Sequence, residues 1–298
     1  MGTKEMMKSL MNQIEMPEDG VENILAAREK LEREGNWGKI TKLADHVMEE
    51  DGNSTVLNQA LEDVEHLEDA VGVHKYTLDF LMLMCCWEEV KTRYEQAGLS
   101  MEIYYKTLED MKWKFLECRE IYGVDGIFVG HWYGGFFDLT RFGLGRLQFE
   151  LCRFEGKETC VIGDRCIEPG DWTINMHIPS SGPMTPELLE DAFFRAKDFF
   201  RKVFPDGELV FAVSSWLIDP DLVSILPEGN IKAFAERFHL IRLDREEEEI
   251  FPDGWRVFGA EWKKAPEDLP QNTKLQKAIA SYLQQGKKLG SGYGIFVW

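Results

Sequence analysis

From Val21 to Glu120 apolar residues return every three or four positions, and after Gly123 that rhythm gives way to alternation and turns. Tyr104, Leu108, Met111, Phe115, Cys118 and Tyr122 share one helical face, with Glu109, Lys112 and Lys114 between them and Ser100 as the N-cap. Leu57, Leu61, Val64, Leu67 and Val71 form a second stripe among acidic residues. The stretch Leu78–Trp87 is apolar on nearly every side, which predicts a central helix covered by its neighbours. Residues 1–123 therefore read as an all-helical bundle.

Gly126, Gly130, Gly134, Gly135, Gly143 and Gly145 interrupt helical periodicity. Arg146–Leu151 then alternates polar and apolar residues as a half-buried strand does. After the turn Glu168-Pro169-Gly170-Asp171, a second alternating run places Trp172, Ile174, Met176 and Ile178 on one face. Asp171, Thr173, Asn175 and His177 take the other. Thr185-Pro186-Glu187 starts a helix expected to run to about Val203. A β-rich run follows at Glu208–Ile218, then a short helix from Asp219-Pro220 to Leu226. Strands are expected at Arg237–Leu243, near Trp255–Trp262 and at Tyr293–Trp298, with a helix over Asn272–Gln285 ending at Gly286. Arg245–Glu249 reads as a solvated loop. The class is α+β, with a helical domain at 1–123 and a mixed α/β domain at 124–298.

Charge narrows the partners. The formal net charge is −19, and 26 acidic against 14 basic side chains lie in residues 1–123. Such a surface repels phosphate backbones and anionic lipids, so nucleic-acid and membrane partners are not expected. No apolar run reaches a bilayer-spanning length, and no basic-then-apolar leader opens the chain. Six cysteines (Cys85, Cys86, Cys118, Cys152, Cys160, Cys166) lack a secreted-domain or zinc-knuckle spacing. Cys160 and Cys166, with five residues between them, leave a disulfide open, but the six read better as reduced thiols in the cytoplasm, with Cys85 and Cys86 in the core, and no metal site is expected.

Kinase, dehydrogenase, zinc-protease and α/β-hydrolase signatures are absent. The most informative segment is His177-Ile178-Pro179-Ser180-Ser181-Gly182-Pro183-Met184-Thr185-Pro186-Glu187, a strand end, a small-residue loop and a helix start. Amides at such a turn suit a phosphate or pyrophosphate, although a plain strand-to-helix turn makes the same residue demands. Arg195, Lys197, Arg201 and Lys202 add basic residues to that helix. His177, on the polar face of its strand, suits a general base, or a structural hydrogen bond. Glu150 is a second candidate base. Ser214 or Ser215 stands where a strand runs into the helix cap Asp219. The segment His131–Phe137 suits an acceptor pocket or packing between domains.

Gly145-Arg146-Leu147-Gln148-Phe149-Glu150, His177-Ile178-Pro179 with its serine-glycine loop, Ser215-Trp216-Leu217-Ile218-Asp219-Pro220, and Leu226-Pro227 through Asn230-Ile231 resemble bacterial two-part acyltransferases. These join a helical N-terminal domain to a C-terminal domain similar to GNAT-type N-acetyltransferases. The resemblance implies acyl-CoA, acetyl-CoA first, as donor and a small-molecule or peptide amine as acceptor. It implies donor contacts at Asn175, Ile178, Ser180, Ser181, Gly182, Thr185 and Asn230, with His177, Glu150 and Ser215 in catalysis. Ser180-Ser181-Gly182 replaces the usual Arg/Gln-x-x-Gly-x-Gly/Ala loop, and neither a strand glutamate base nor the usual tyrosine acid stands in place. A catalytically silent module of the same fold, binding a small ligand or a protein, is the alternative.

Overall fold

The computed structural model describes residues 2–298, which divide into two compact units at Gly143/Leu144. The first unit is helical: α1 (Lys4–Gln13), α2 (Glu18–Arg33), α3 (Trp37–Glu49), α4 (Ser54–Glu65), α5 (Glu68–Val71), α6 (Lys75–Gln96), α7 (Met101–Leu108), α8 (Asp110–Tyr122) and α9 (Gly134–Phe137). Side chains close the exposed amides at several starts: Thr3 for α1, Asn53 for α4, His74 for α6 and Ser100 for α7. The apolar run does what its pattern requires, since every residue from Phe80 to Trp87 in α6 is fully buried.

Two stripes are each broken once. The stripe from Tyr104 is split at Glu109 between α7 and α8, where the Thr107 hydroxyl donates to Ile103 O and accepts from Gly143 N. Such back-bonding disturbs a helix locally. Tyr122, at the end of that stripe, is largely exposed. The stripe from Leu57 is interrupted at His66–Leu67, between α4 and α5.

The expected domain boundary at Gly123 marks instead the end of α8, where Gly123 adopts the left-handed cap. The next twenty or so residues stay with the first unit because they pack into it. Ile127 N donates to Tyr76 O at 2.9 Å, and Tyr133, Phe136 and Phe137 surround Trp87 with ring centroids 5.6–6.4 Å apart. Tyr133, Phe136 and Phe137 of the aromatic segment His131–Phe137 are thus core packing of this unit, while His131 is exposed.

The second unit is built on a mixed sheet. Its strands are β1 (Arg141–Leu144, which crosses the division), β2 (Leu147–Arg153), β5 (Trp172–His177), β6 (Val210–Ser215), β7 (His239–Asp244) and β8 (Ser291–Val297), in the order β1-β2-β5-β6-β8-β7. β3 (Cys160–Ile162) and β4 (Arg165–Ile167) form a separate hairpin that periodicity does not announce. β5 and β6 are parallel, and β2/β5, β6/β8 and β7/β8 are antiparallel. Helix α10 (Pro186–Phe200) connects β5 to β6 and lays Phe193 on Phe211 and Phe296, at 4.9 and 5.4 Å between ring centroids. Trp172 departs from its expected core face; it is 40% exposed and lies under the Arg153 guanidinium.

Helices α11 (Pro220–Ile225), α12 (Asn230–Ala235), α13 (Trp255–Phe258) and α14 (Lys274–Leu283) complete the unit. The strand expected near Trp255–Trp262 is a correction, because this segment is α13 followed by a 3-10 turn. Phe258 is buried in a second core cluster with Leu222, Phe251 and Ile279, and Trp262 packs against it. The spacing Trp255–Phe258–Trp262 is helical, and that signal outranks alternation over so short a run. All six cysteines are free thiols, with Cys85 and Cys86 buried. Among the described residues no helix is long and apolar enough to cross a membrane.

Candidate functional site

The sheet opens where β5 and β6 end. Their parallel register covers Ile174↔Phe211 and Asn175↔Ala212, whereas β5 continues to His177 and β6 to Ser215. Beyond the shared register each strand is held from its outer side. β5 pairs with β2 as far as Gln148↔His177, and β6 with β8 as far as Ser215↔Gly292. Two parallel strands that part in this way leave backbone polar groups between them for a ligand to meet.

Register then decides which side chains gather there. Glu150 lies opposite Asn175, and Gln148 opposite His177, so all four share the sheet face turned away from α10. His177 Nε2 is 3.1 Å from Glu150 Oε2 and 3.3 Å from Asn175 Nδ2. One ring nitrogen serves both neighbours. When it carries a proton it donates to the carboxylate; when it is bare it accepts from the amide. The side chains of His177 and Glu150 are 16% and 25% exposed, so both are screened but reachable. An imidazole held this close to a carboxylate is the arrangement that general-base chemistry would require.

The segment after His177 is shaped by Arg146. Its Nε donates to Pro183 O at 3.0 Å, and its two terminal nitrogens donate to Pro179 O at 2.9 Å and Gly182 O at 2.7 Å. Gly182 takes φ +112, a conformation open to glycine, and a Cβ there would meet nothing within 4 Å. Gly145, just before Arg146, has φ +71 and brings the chain against α10, 3.3 Å from Ala192 Cα for an added Cβ. Ser180 and Gly182 are exposed, while Ile178 and Ser181 are half-buried.

The start of α10 is already occupied by its own side chains. Thr185 Oγ1 accepts from Leu188 N at 3.4 Å. A backbone hydrogen bond and the Thr185 hydroxyl hold the Glu187 carboxyl below its ordinary pKa. Of the basic residues on this helix, Arg195 pairs with Asp191, Arg201 with Asp198, and Lys197 lies over the Trp298 ring.

Glu150, Asn175 and His177 are therefore brought together, and Ile178, Ser180, Ser181, Gly182 and Thr185 follow on one continuous loop. Ser215 sits at the parting end of β6, where its hydroxyl accepts from Leu217 N and caps the 3-10 turn Trp216–Ile218. Asn230 is exposed at the first position of α12 and joins none of these hydrogen bonds. Asp219, read as a cap, is one, and it is also fully buried, accepting from Arg245 and from Gly290 N. The residue that sequence reasoning passed over is Arg146. An arginine beginning a strand looks solvent-facing, and only the three loop carbonyls converging on it reveal otherwise.

Comparisons with known proteins agree with this architecture. Residues 141–296 match the family described as GNAT-like C-terminal domain, and residues 5–139 match the N-acyltransferase N-terminal domain. Among solved structures the chain is similar to an acyltransferase in complex with decanoyl-CoA and teicoplanin, with TM-score 0.76 and 22% identity over 97% of this chain and 86% of that one. A mutant acyltransferase in complex with octanoyl-CoA gives TM-score 0.76 and 22% identity, over 98% and 87%. At such identities the likeness is one of fold. No curated protein matches the chain.

Proposed function

The chain belongs to the GNAT-like C-terminal domain family, with an N-acyltransferase N-terminal domain ahead of it, and from that premise we propose that it transfers an acyl group from acyl-CoA to an amine. The observation that carries the reading is the Glu150–His177 pair at the parting ends of β5 and β6. The structurally similar acyltransferases hold decanoyl-CoA and octanoyl-CoA, which supports acyl-CoA as donor here, with acyl groups longer than acetyl among the candidates. Teicoplanin beside decanoyl-CoA in one of them supports a small-molecule or peptide acceptor. The free thiols favour the cytoplasm as its compartment.

His177, oriented by Glu150, takes a proton from the acceptor's ammonium group. The freed amine attacks the thioester carbonyl carbon, forming the C–N bond, and strand-end amides stabilise the negative charge on oxygen. The oxyanion then re-forms the carbonyl and the C–S bond breaks. The attacking nitrogen loses its extra proton to the departing sulfur, so CoA leaves as a thiol, and His177 returns its own proton to solvent. Ile178, Ser180, Ser181, Gly182 and Thr185 line the donor's path in this reading, while Asn175 sets the amide beside His177. Ser215 and Asn230 have weaker claims, since one caps a turn and the other stands on α12.

Thiol release from acetyl-, octanoyl- and decanoyl-CoA in the presence of amines tests the assignment. Acceptor-dependent release is expected. The silent-module reading draws on Ser215 being engaged as a cap. Donor binding without turnover for any amine would establish that reading instead.

A further inference from the structure

We propose that Asp219 is a positioning residue for the transfer: it clasps the exit of β6 to β8 and β7, and so holds the end of β6 away from β5. The inference rests on the acyl-transfer reading above.

β6 pairs with β5 only as far as Ala212, so from Val213 onward its place is set from the β8 side. The clasp begins where that pairing ends. The 3-10 turn Trp216–Ile218 leads the chain out of β6 to Asp219, which is fully buried. A helix cap needs one oxygen, and Asp219 uses Oδ1 for Asp221 N at 2.9 Å. Its Oδ2 accepts from Gly290 N, at the entry to β8, at 2.8 Å. Arg245, the first residue past β7, donates from Nη2 to both oxygens at 3.0 and 3.2 Å. One carboxylate thus joins the exit of β6, the entry of β8 and the exit of β7. An asparagine could cap the helix, but its single oxygen cannot serve both backbone amides. Capping alone therefore leaves the second oxygen, and Arg245, without a reason.

The sequence leading into β8 is fitted to the same clasp. Gly290, Gly292 and Gly294 recur at every second position, so they share one face. A Cβ on Gly290 would stand 2.2 Å from Asp244 O. On Gly292 it would stand 2.9 Å from Ile218 Cγ1, and on Gly294 it would stand 2.8 Å from Ile218 Cδ1. Bare backbone at these places lets Ile218 and Asp219 seat directly against β8. The end of β6 cannot swing back toward β5 without unseating both. Backbone groups that β6 turns toward the opening therefore keep a fixed aim, which stabilising a developing oxyanion requires.

The test combines hydrogen exchange and turnover on the full chain and on Asp219→Asn and Arg245→Lys. In Asp219→Asn, amides of residues 213–219 and 290–292 should exchange roughly tenfold faster, the scale of one lost hydrogen bond, while those of β2 and β5 hold. Thiol release from octanoyl-CoA with primary amines should show kcat lower by roughly ten- to a hundredfold, as small misplacements remote from the chemistry can produce. Octanoyl-CoA affinity by calorimetry and the acidic limb of the pH–rate profile should stay with the parent. Arg245→Lys keeps the charge but not the planar fork, so both readouts should move less and in the same direction. That variant carries the comparison if circular dichroism shows that Asp219→Asn does not fold. Exchange that quickens evenly through the sheet, or local loosening with kcat unchanged, would reduce Asp219 to a structural cap and overturn the role. Unchanged exchange at both segments would overturn the clasp itself. Local loosening in a protein whose parent turns over no amine would sink the transfer reading and leave the clasp standing.

Discussion

The two faces of the second unit's sheet divide the work of the protein between them. On the face toward α10, Phe211 and Phe296 pack with Phe193, Phe149 packs on Phe211, and Ile174 and Met176 are buried on the same face. On the other face the same strands carry Glu150, Asn175 and His177 within hydrogen-bonding reach. Successive residues of one strand thus serve opposite ends: Met176 packs into the core, and His177 is the base in the proposed transfer. The lesson is that a two-residue period lets a short strand be rigid on one side and reactive on the other.

The largest effect should come from the packed face. Phe193→Ala removes a fully buried ring that touches Phe211 and Phe296, and should cost about 3–5 kcal/mol of stability in denaturant unfolding. A loss confined to activity would break the division of labour. On the opposite face, His177→Gln should lower kcat on the order of a hundredfold while stability and donor affinity hold. The acidic limb of the pH–rate profile should disappear with it. A variant that turns over like the parent would pass the proton to Glu150 or to solvent.

A buried polar group outside the site sharpens the contrast. Asp79 on α6 is 2% exposed, and its pKa is pushed up to about 9, first by burial and then by the Glu65 carboxylate. Its folded form keeps a proton that the unfolded chain releases near pH 4. Stability contributed by that proton is full below pH 4 and is lost progressively as pH rises toward 9. Asp79→Asn should therefore stabilise the fold more at pH 8 than at pH 5, at ~1.4 kcal/mol per pH unit across that window, read as a higher melting temperature at the higher pH. Its kcat should stay with the parent. Coupled loss of activity would mean that this helix reports on the site.

Gly182→Val should have the smallest effect on the fold. At φ +112 a β-branched residue is strained, and a loss of about 1–2 kcal/mol is expected. Because an added Cβ meets nothing in the protein, any larger drop in acyl-CoA affinity must come from the ligand side. Unchanged affinity would return the loop to a plain turn.

Much of this was legible in the sequence for identifiable reasons. The burial of Phe80–Trp87 followed from an apolar run too short for a membrane. The cap at Thr185-Pro186 followed from the chemistry of a helix start. Alternation along β2 and β5 placed Glu150, Asn175 and His177 on the polar faces of their strands, although it could not pair the strands. Their meeting depends on the register Glu150↔Asn175, which only long-range pairing sets. Gly123 misled because a helix-ending glycine looks the same whether the chain then leaves its unit or folds back, as the Trp87 cluster makes it do. Trp255–Trp262 misled because a short apolar run fits either period. Arg146 stayed hidden because its partners are backbone carbonyls more than thirty residues away.

The central claim, an acyl-CoA site where β5 and β6 part, meets its most direct test in a ligand-dependent melt of the full chain. Acetyl-, octanoyl- and decanoyl-CoA and free CoA would be titrated into the millimolar range. A donor that binds only the folded protein adds ~2.7 kcal/mol at a hundredfold excess over its Kd. At least one thioester should therefore raise the midpoint steadily with concentration. A midpoint unmoved by every thioester and by CoA itself would contradict the account.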